Sequence, residues 1–114
     1  MRNTVKIFKA LSDPNRIRIL KMLEVRPLCV CEITEVLQLA TSTVSKHLSI
    51  LRDVDLIIDS KDGKWVNYEL NPSGQNINAK QLLALIEAWL NDDEIIQADV
   101  KRVKEIDRNM LCGT

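Results

Sequence analysis

Apolar residues recur every three or four positions through most of the chain and alternate over a single stretch. Val5, Phe8 and Leu11 mark one side of a first helix over residues 3–11. Ser12, Asp13 and Pro14 then read as a helix start. Asp13 can cap free N–H groups, and Pro14 suits the first helical position, where its missing N–H costs nothing. The second helix runs to Pro27, with Ile17, Leu20 and Leu23 on one stripe and Arg18 and Lys21 among the outward positions. A short helix over 31–38 turns Ile33, Val36 and Leu37 inward. After a break at Leu39, Ala40 and Thr41, a longer helix spaces Val44, Leu48 and Leu51 by four and three. Two short helices joined by a tight turn, each burying one stripe, form a helix-turn-helix.

Beyond it the period changes. Leu56, Ile57 and Ile58 suit a short strand, and Asp62-Gly63 is a hairpin turn signal. Val66, Tyr68 and Leu70 alternate with Trp65, Asn67 and Glu69, predicting a second strand with one buried face. A ribbon in this place is a wing, with Lys61 and Lys64 at its tip. Asn71, Pro72, Ser73 and Gly74 break the pattern before a strongly apolar helix over 77–90. A last helix, about 93–110, carries Ile96, Val100, Val103, Ile106 and Met110 on one seam. The pattern predicts a mainly α protein with a small β-hairpin, a single winged helix-turn-helix domain over 1–114. The helix-turn-helix occupies 31–55 and the wing 56–70. The terminal helices, 1–11 and 75–110, hold more apolar surface than one small domain covers and are expected to form a two-fold homodimer interface.

Composition adds two points. The 114 residues have a formal net charge of zero, but the charge is unevenly spread. Residues 1–28 hold seven bases against two acids, whereas residues 87–99 hold five acids and no base. A local basic face is what phosphate binding requires, although both runs also suit ordinary solvated helix faces. No apolar run approaches the roughly 20 residues of a membrane helix, and the start lacks a signal-peptide core, so a cytoplasmic location is expected. Three cysteines do not make a closed disulfide framework; reduced, metal-binding or inert thiols are expected instead.

The segments KALSDPNRIRILKML, LCVCEITEVLQL, STVSKHLSILRDVDLI and KDGKWVNYEL resemble the ArsR/SmtB family of metal-sensing repressors. The resemblance runs from about Lys9 to Leu70; the terminal helices match only in kind. It implies a dimeric winged-helix repressor, not an enzyme, that leaves double-stranded operator DNA when a metal or metalloid binds. In such a fold the helix starting near Thr41 enters the major groove. Thr41, Ser42, Ser45, Lys46 and Ser49 then face outward for phosphates and base edges, and Lys61 and Lys64 lie against the backbone or a neighbouring minor groove. Their bland reading is solvated surface. His47, beside an inward Leu48, is assigned to structure or DNA and not to metal. Ala40 stands where the family usually has a capping Ser, so Thr41 or Ser42 must cap later or the helix start frays.

Cys29 and Cys31 lie where a loop meets the first helix of this unit. A helix N-terminus lowers a thiol pKa, and soft thiolates favour thiophilic ions. Two residues apart, the sulfurs would be splayed in a regular helix, so joining them on one ion should distort its first turn. The resemblance implies As(III) or Sb(III), or another thiophilic ion, as inducer with no required cofactor. The third cysteine of the familiar CVCxxC site is replaced here by Thr34, leaving Cys112 as the remaining candidate ligand, from the same or the other subunit. Free of the resemblance, Cys29 and Cys31 are equally two small buried hydrophobes. The family's other site, built on Asp and His of the long penultimate helix, is disfavoured: 77–90 has Glu87 as its only acid and no histidine. A thiol redox or persulfide sensor, pairing Cys29 or Cys31 with Cys112, is the alternative within the same fold. An enzyme using a Cys nucleophile with His47 lacks any accompanying Gly-rich loop or acid pair, and a bare dimerisation module leaves the hydroxyl-rich helix and the basic wing unexplained.

Overall fold

Asp13 starts the second helix as its position implies: its carboxylate accepts from the N–H groups of Asn15 at 2.8 Å and Arg16 at 3.4 Å, with Pro14 inside the first turn. The computed structural model describes residues 1–112. Its elements are α1 (Arg2–Ala10), α2 (Pro14–Leu23), β1 (Leu28–Cys29), α3 (Val30–Leu37), α4 (Thr41–Asp53), β2 (Ile57–Asp62), β3 (Trp65–Leu70), α5 (Ile77–Ala88), α6 (Glu94–Glu105) and α7 (Arg108–Leu111). The core gathers most of the expected stripes, but on α2 Ile19 is buried where Ile17 was expected, and Ile17 and Val36 are only partly covered. Ile33 and Leu37 of α3 meet Val44, Leu48 and Leu51 of α4 over Ile19, Leu20 and Leu23 of α2. Each such side chain contributes about 1.5–3 kcal/mol when fully buried. Gln38 makes the turn between α3 and α4 in the left-handed region, at φ 57°, with its N–H on the Thr34 carbonyl.

The sheet is antiparallel in the order β1-β3-β2, one strand more than the hairpin pattern indicates. The added strand is only two residues long, Leu28 facing Tyr68 and Cys29 facing Asn67. At the tip, Asp62 pairs with Trp65 across Gly63 and Lys64, and Gly63 takes φ +61°, where glycine alone bears no Cβ penalty. Tyr68 and Leu70 pack on the core as expected, but Val66 is exposed because the ribbon projects beyond it.

Three further expectations are corrected. Lys21, placed outward by the stripe, is only 1% exposed. Its ammonium donates to the Ile86 carbonyl at 2.9 Å and Asn91 Oδ1 at 3.1 Å and pairs with Glu24 at 2.8 Å, so a cation closes the end of α5. Arg18, also placed outward, is half-buried, with a two-pronged contact on Asp99 at 2.8 and 2.9 Å that ties α2 to α6. The helix expected over 93–110 breaks at Ile106. Arg26 takes the carbonyls of Val103 and Ile106, and the Asp107 carboxylate caps α7 on the Asn109 N–H at 2.8 Å. Ile96, Val103 and Ile106 stay buried, whereas Met110, beyond the break, is exposed.

Candidate metal centre and nucleic-acid interface

Cys29 ends β1 and is the N-cap of α3, with extended backbone angles of φ −89° and ψ 167°. That geometry overturns the expected splaying. Because Cys29 is not yet helical, its sulfur swings beside that of Cys31, at 3.4 Å. Cys112, at the end of α7, places its sulfur 3.6 Å from that of Cys29 and is joined to Cys31 as a disulfide. Three sulfurs from one chain, two of them 81 residues apart in sequence, thus lie within 4.8 Å of one another. Cys29 is buried, while Cys31 and Cys112 are partly exposed and leave the cluster open on their side. Ligands bonded to a common ion at about 2.3 Å sit no more than about 4.6 Å apart, so the Cys29–Cys31 and Cys29–Cys112 spacings fit one ion. A donor set of sulfur alone selects soft, thiophilic ions.

Glu32 builds the floor. Its buried carboxylate accepts the Cys29 N–H at 3.0 Å and pairs with Arg26 at 2.9 Å. The Cys29 thiol is raised and not lowered, contrary to expectation: burial outweighs the first-turn N–H groups of Glu32 and Cys31, which do pull it down. Burial pushes that thiol above its usual value, and the nearby Glu32 carboxylate adds to the rise. The signal for Glu32 was present, since a cap residue followed three later by Glu is the capping-box spacing. Nothing in the pattern announced Arg108. Its guanidinium donates to Asn67 Oδ1 and Asp62 Oδ2, both at 3.0 Å, and stacks over the Trp65 ring.

The second candidate surface lies on α4 and the wing. Thr41, Ser42, Ser45, Lys46 and Ser49 are all exposed on one helix whose opposite side carries buried Val44, Leu48 and Leu51. Lys61 and Lys64 are exposed on the ribbon, the latter with its ammonium 4.9 Å from the Trp65 ring centroid. His47 is half-buried and takes no part in the sulfur cluster; Nδ1 lies 3.1 Å from Arg16 Nη1. Thr41 opens α4 directly, and its N-cap Ala40 supplies no side-chain bond, an omission that costs about 0.5–2 kcal/mol relative to a capped start.

A family model described as "Bacterial regulatory protein, arsR family" matches residues 13–59. The chain is also 37% identical over 100 residues to the arsenical resistance operon repressor of Escherichia coli, spanning 87% of this chain and 83% of that relative. It belongs to the ArsR family. As an ArsR-family protein it is a DNA-binding transcriptional repressor and not an enzyme. Among solved structures, reduced HlyU from Vibrio cholerae shares 31% identity over 74% of this chain and 88% of its own, with a TM-score of 0.59. The homodimeric winged helix-turn-helix DNA-binding domain Mb0332 from Mycobacterium bovis covers 82% of both chains with a TM-score of 0.66. At 20% identity that second likeness is one of fold. Among the described residues, no helix of this ArsR-family repressor is long and apolar enough to cross a membrane.

Proposed function

We propose that the chain is a homodimeric repressor that leaves its operator when As(III) or Sb(III) is captured by Cys29, Cys31 and Cys112. The observation that carries this reading is the meeting of three sulfurs beside the helix that supports α4. A thiol reductant first supplies two electrons and two protons to the Cys31–Cys112 disulfide, itself leaving as a disulfide; arsenous acid then exchanges its three hydroxyls for the three sulfurs, and the thiol protons leave with them as three waters. In doing so it ties the end of α7 to β1 and to the start of α3. Because Cys29 and Cys31 already converge, capture does not need to bend the first turn of α3, and the coupling runs through what Cys112 brings with it. By linkage, DNA weakens capture by the same factor that capture weakens DNA binding.

Thr41, Ser42, Ser45, Lys46 and Ser49 are the proposed major-groove residues, with Lys61 and Lys64 on phosphates or a minor groove. The dimer reading is supported by apolar side chains left outside the core on both terminal regions. Phe8 is 60% and Trp89 55% exposed, and both line an apolar groove of about 290 Å³ between α1 and α5.

The Cys31–Cys112 disulfide favours a second reading, a redox-sensing repressor. There the two thiols give two electrons to an oxidant such as a peroxide and release two protons, while Cys29 stays a free thiol. A cytoplasmic disulfide of this kind is transient and regulatory. One experiment separates the two. A duplex selected from random sequence by the reduced protein is followed by fluorescence anisotropy. Arsenite with reductant releases it if the first reading holds; peroxide without metalloid releases it if the second does. Cys29→Ser abolishes the arsenite response but spares the peroxide response, and a normal arsenite response in both Cys29→Ser and Cys31→Ser overturns the metalloid site.

A further inference from the structure

The turn that carries Cys112 is clasped to the wing by its other end. Arg108 lies one helical turn before Cys112, whose N–H bonds the Arg108 carbonyl at 2.7 Å. From there the guanidinium forks onto Asp62 and Asn67, and its carbon stands 4.0 Å from the Trp65 ring centroid. Asp62 and Trp65 face each other across the tip of the ribbon, and Asn67 faces Cys29 across β1 and β3. A helix of four residues has almost no stability of its own, so α7 stays where its two ends are anchored. One anchor is the sulfur cluster, and the other is the part of the wing that bears Lys61 and Lys64.

We propose that Arg108 is the positioning residue through which the bonding state of Cys112 reaches the wing. While Cys112 is engaged, α7 is held against the ribbon and Arg108 pins its tip through Asp62, Asn67 and Trp65. When Cys112 is free, α7 is released and the ribbon is able to settle on DNA. This inference rests on the proposed thiol-controlled repressor. It adds a route from sulfur to DNA that bypasses α3 and α4.

The test uses the reduced 114-residue chain and arsenite at saturation, with operator Kd and tryptophan emission as readouts. Trp65→Phe identifies the share of the emission that belongs to Trp65 and not to Trp89. In the wild type, arsenite shifts the Trp65 emission and raises the operator Kd by the release factor. In Arg108→Ala, arsenite is still captured, but the Trp65 shift is lost and the release factor drops roughly fivefold or more, the lower range of measured allosteric couplings. Asp62→Asn lowers the factor partway, the double variant lowers it no further than Arg108→Ala, and Arg108→Lys restores part of it. A release factor in Arg108→Ala equal to that of the wild type overturns the inference alone, as does a wild-type Trp65 emission that ignores arsenite. A wild type that arsenite and peroxide both fail to release overturns the proposed function together with it.

Discussion

Arg16 Nη1 lies 3.1 Å from His47 Nδ1, so α2 grips the candidate recognition helix through the only histidine of the chain. Arginine only donates, so Nδ1 is the acceptor in this contact. Arg16 is itself fixed, with Nε on the Ala10 carbonyl at 2.7 Å and Nη2 on that of Lys9 at 3.2 Å. The contact joins α1, α2 and α4 at one guanidinium.

Replacing His47 with Ala should therefore lower stability by about 1.5–3 kcal/mol, the range for a hydrogen bond to a charged group. The denaturant midpoint should fall with an unchanged slope. Operator and non-operator duplexes should weaken alike, because the contact orients the helix and does not read a base. An unchanged midpoint would show that the contact holds nothing.

A larger loss is expected at Lys21. Lys21→Met leaves the Ile86 carbonyl, the Asn91 side chain and Glu24 without their cation, and breaking a buried pair in this way costs about 3–5 kcal/mol. The deficit should depend on pH in a definite direction. Glu24 is already raised, first by burial, while Lys21 lowers it. A carboxyl with a raised folded pKa contributes stability below its unfolded value and loses it as pH rises through the folded one. Removing Lys21 raises Glu24 further, so the gap between variant and wild type should narrow as pH falls from 7 through the titration of Glu24. A gap that widens toward acid would contradict this.

On the DNA side, Lys46→Ala should weaken binding and flatten the plot of log K against log salt by about one unit if Lys46 meets a phosphate. Replacing Lys61 and Lys64 together should flatten it by about two. Should Lys46 read a guanine edge instead, its loss would relax preference at one base pair, by about 1–3 kcal/mol, and leave the slope alone.

Cysteine reactivity gives the last prediction. In the fully reduced protein, iodoacetamide should label the partly exposed Cys31 and Cys112 before Cys29, and labelling of Cys29 should keep accelerating beyond the ordinary thiol range. The sign for stability follows. A thiol raised in the fold stabilises while protonated, fully so below its unfolded value of about 8.5, and that contribution is lost as pH rises through the folded value. The unfolding midpoint should fall over that alkaline window, and Cys29→Ala should remove that part of the slope. Labelling of Cys29 ahead of the other two would overturn the account.

The elements that repeat a pattern were legible before any coordinates. The stripe of Val44, Leu48 and Leu51 is buried as its spacing implies, and Asp13 with Pro14 begins a helix. Single residues whose surroundings come from far along the chain were not. Lys21 sits at an outward position of its own helix, but α5 supplies carbonyl partners 65 residues later, and local periodicity carries no trace of them. Two-residue β1 is too short to show alternation, so the extended backbone that brings Cys29 to Cys31 stayed hidden. Cys112 was legible as a candidate by elimination, but its arrival at the other two depends on the break at Ile106, set by Arg26 from the opposite end of the chain.

All three sulfurs belong to a single polypeptide, which sets the counting of the response. A symmetric pair of chains would hold two self-sufficient traps, each filling without waiting for the other to be built. On the proposed function, a mixed pair with one trap disabled should therefore still load one ion, and an arsenite titration of it should end at one ion per pair.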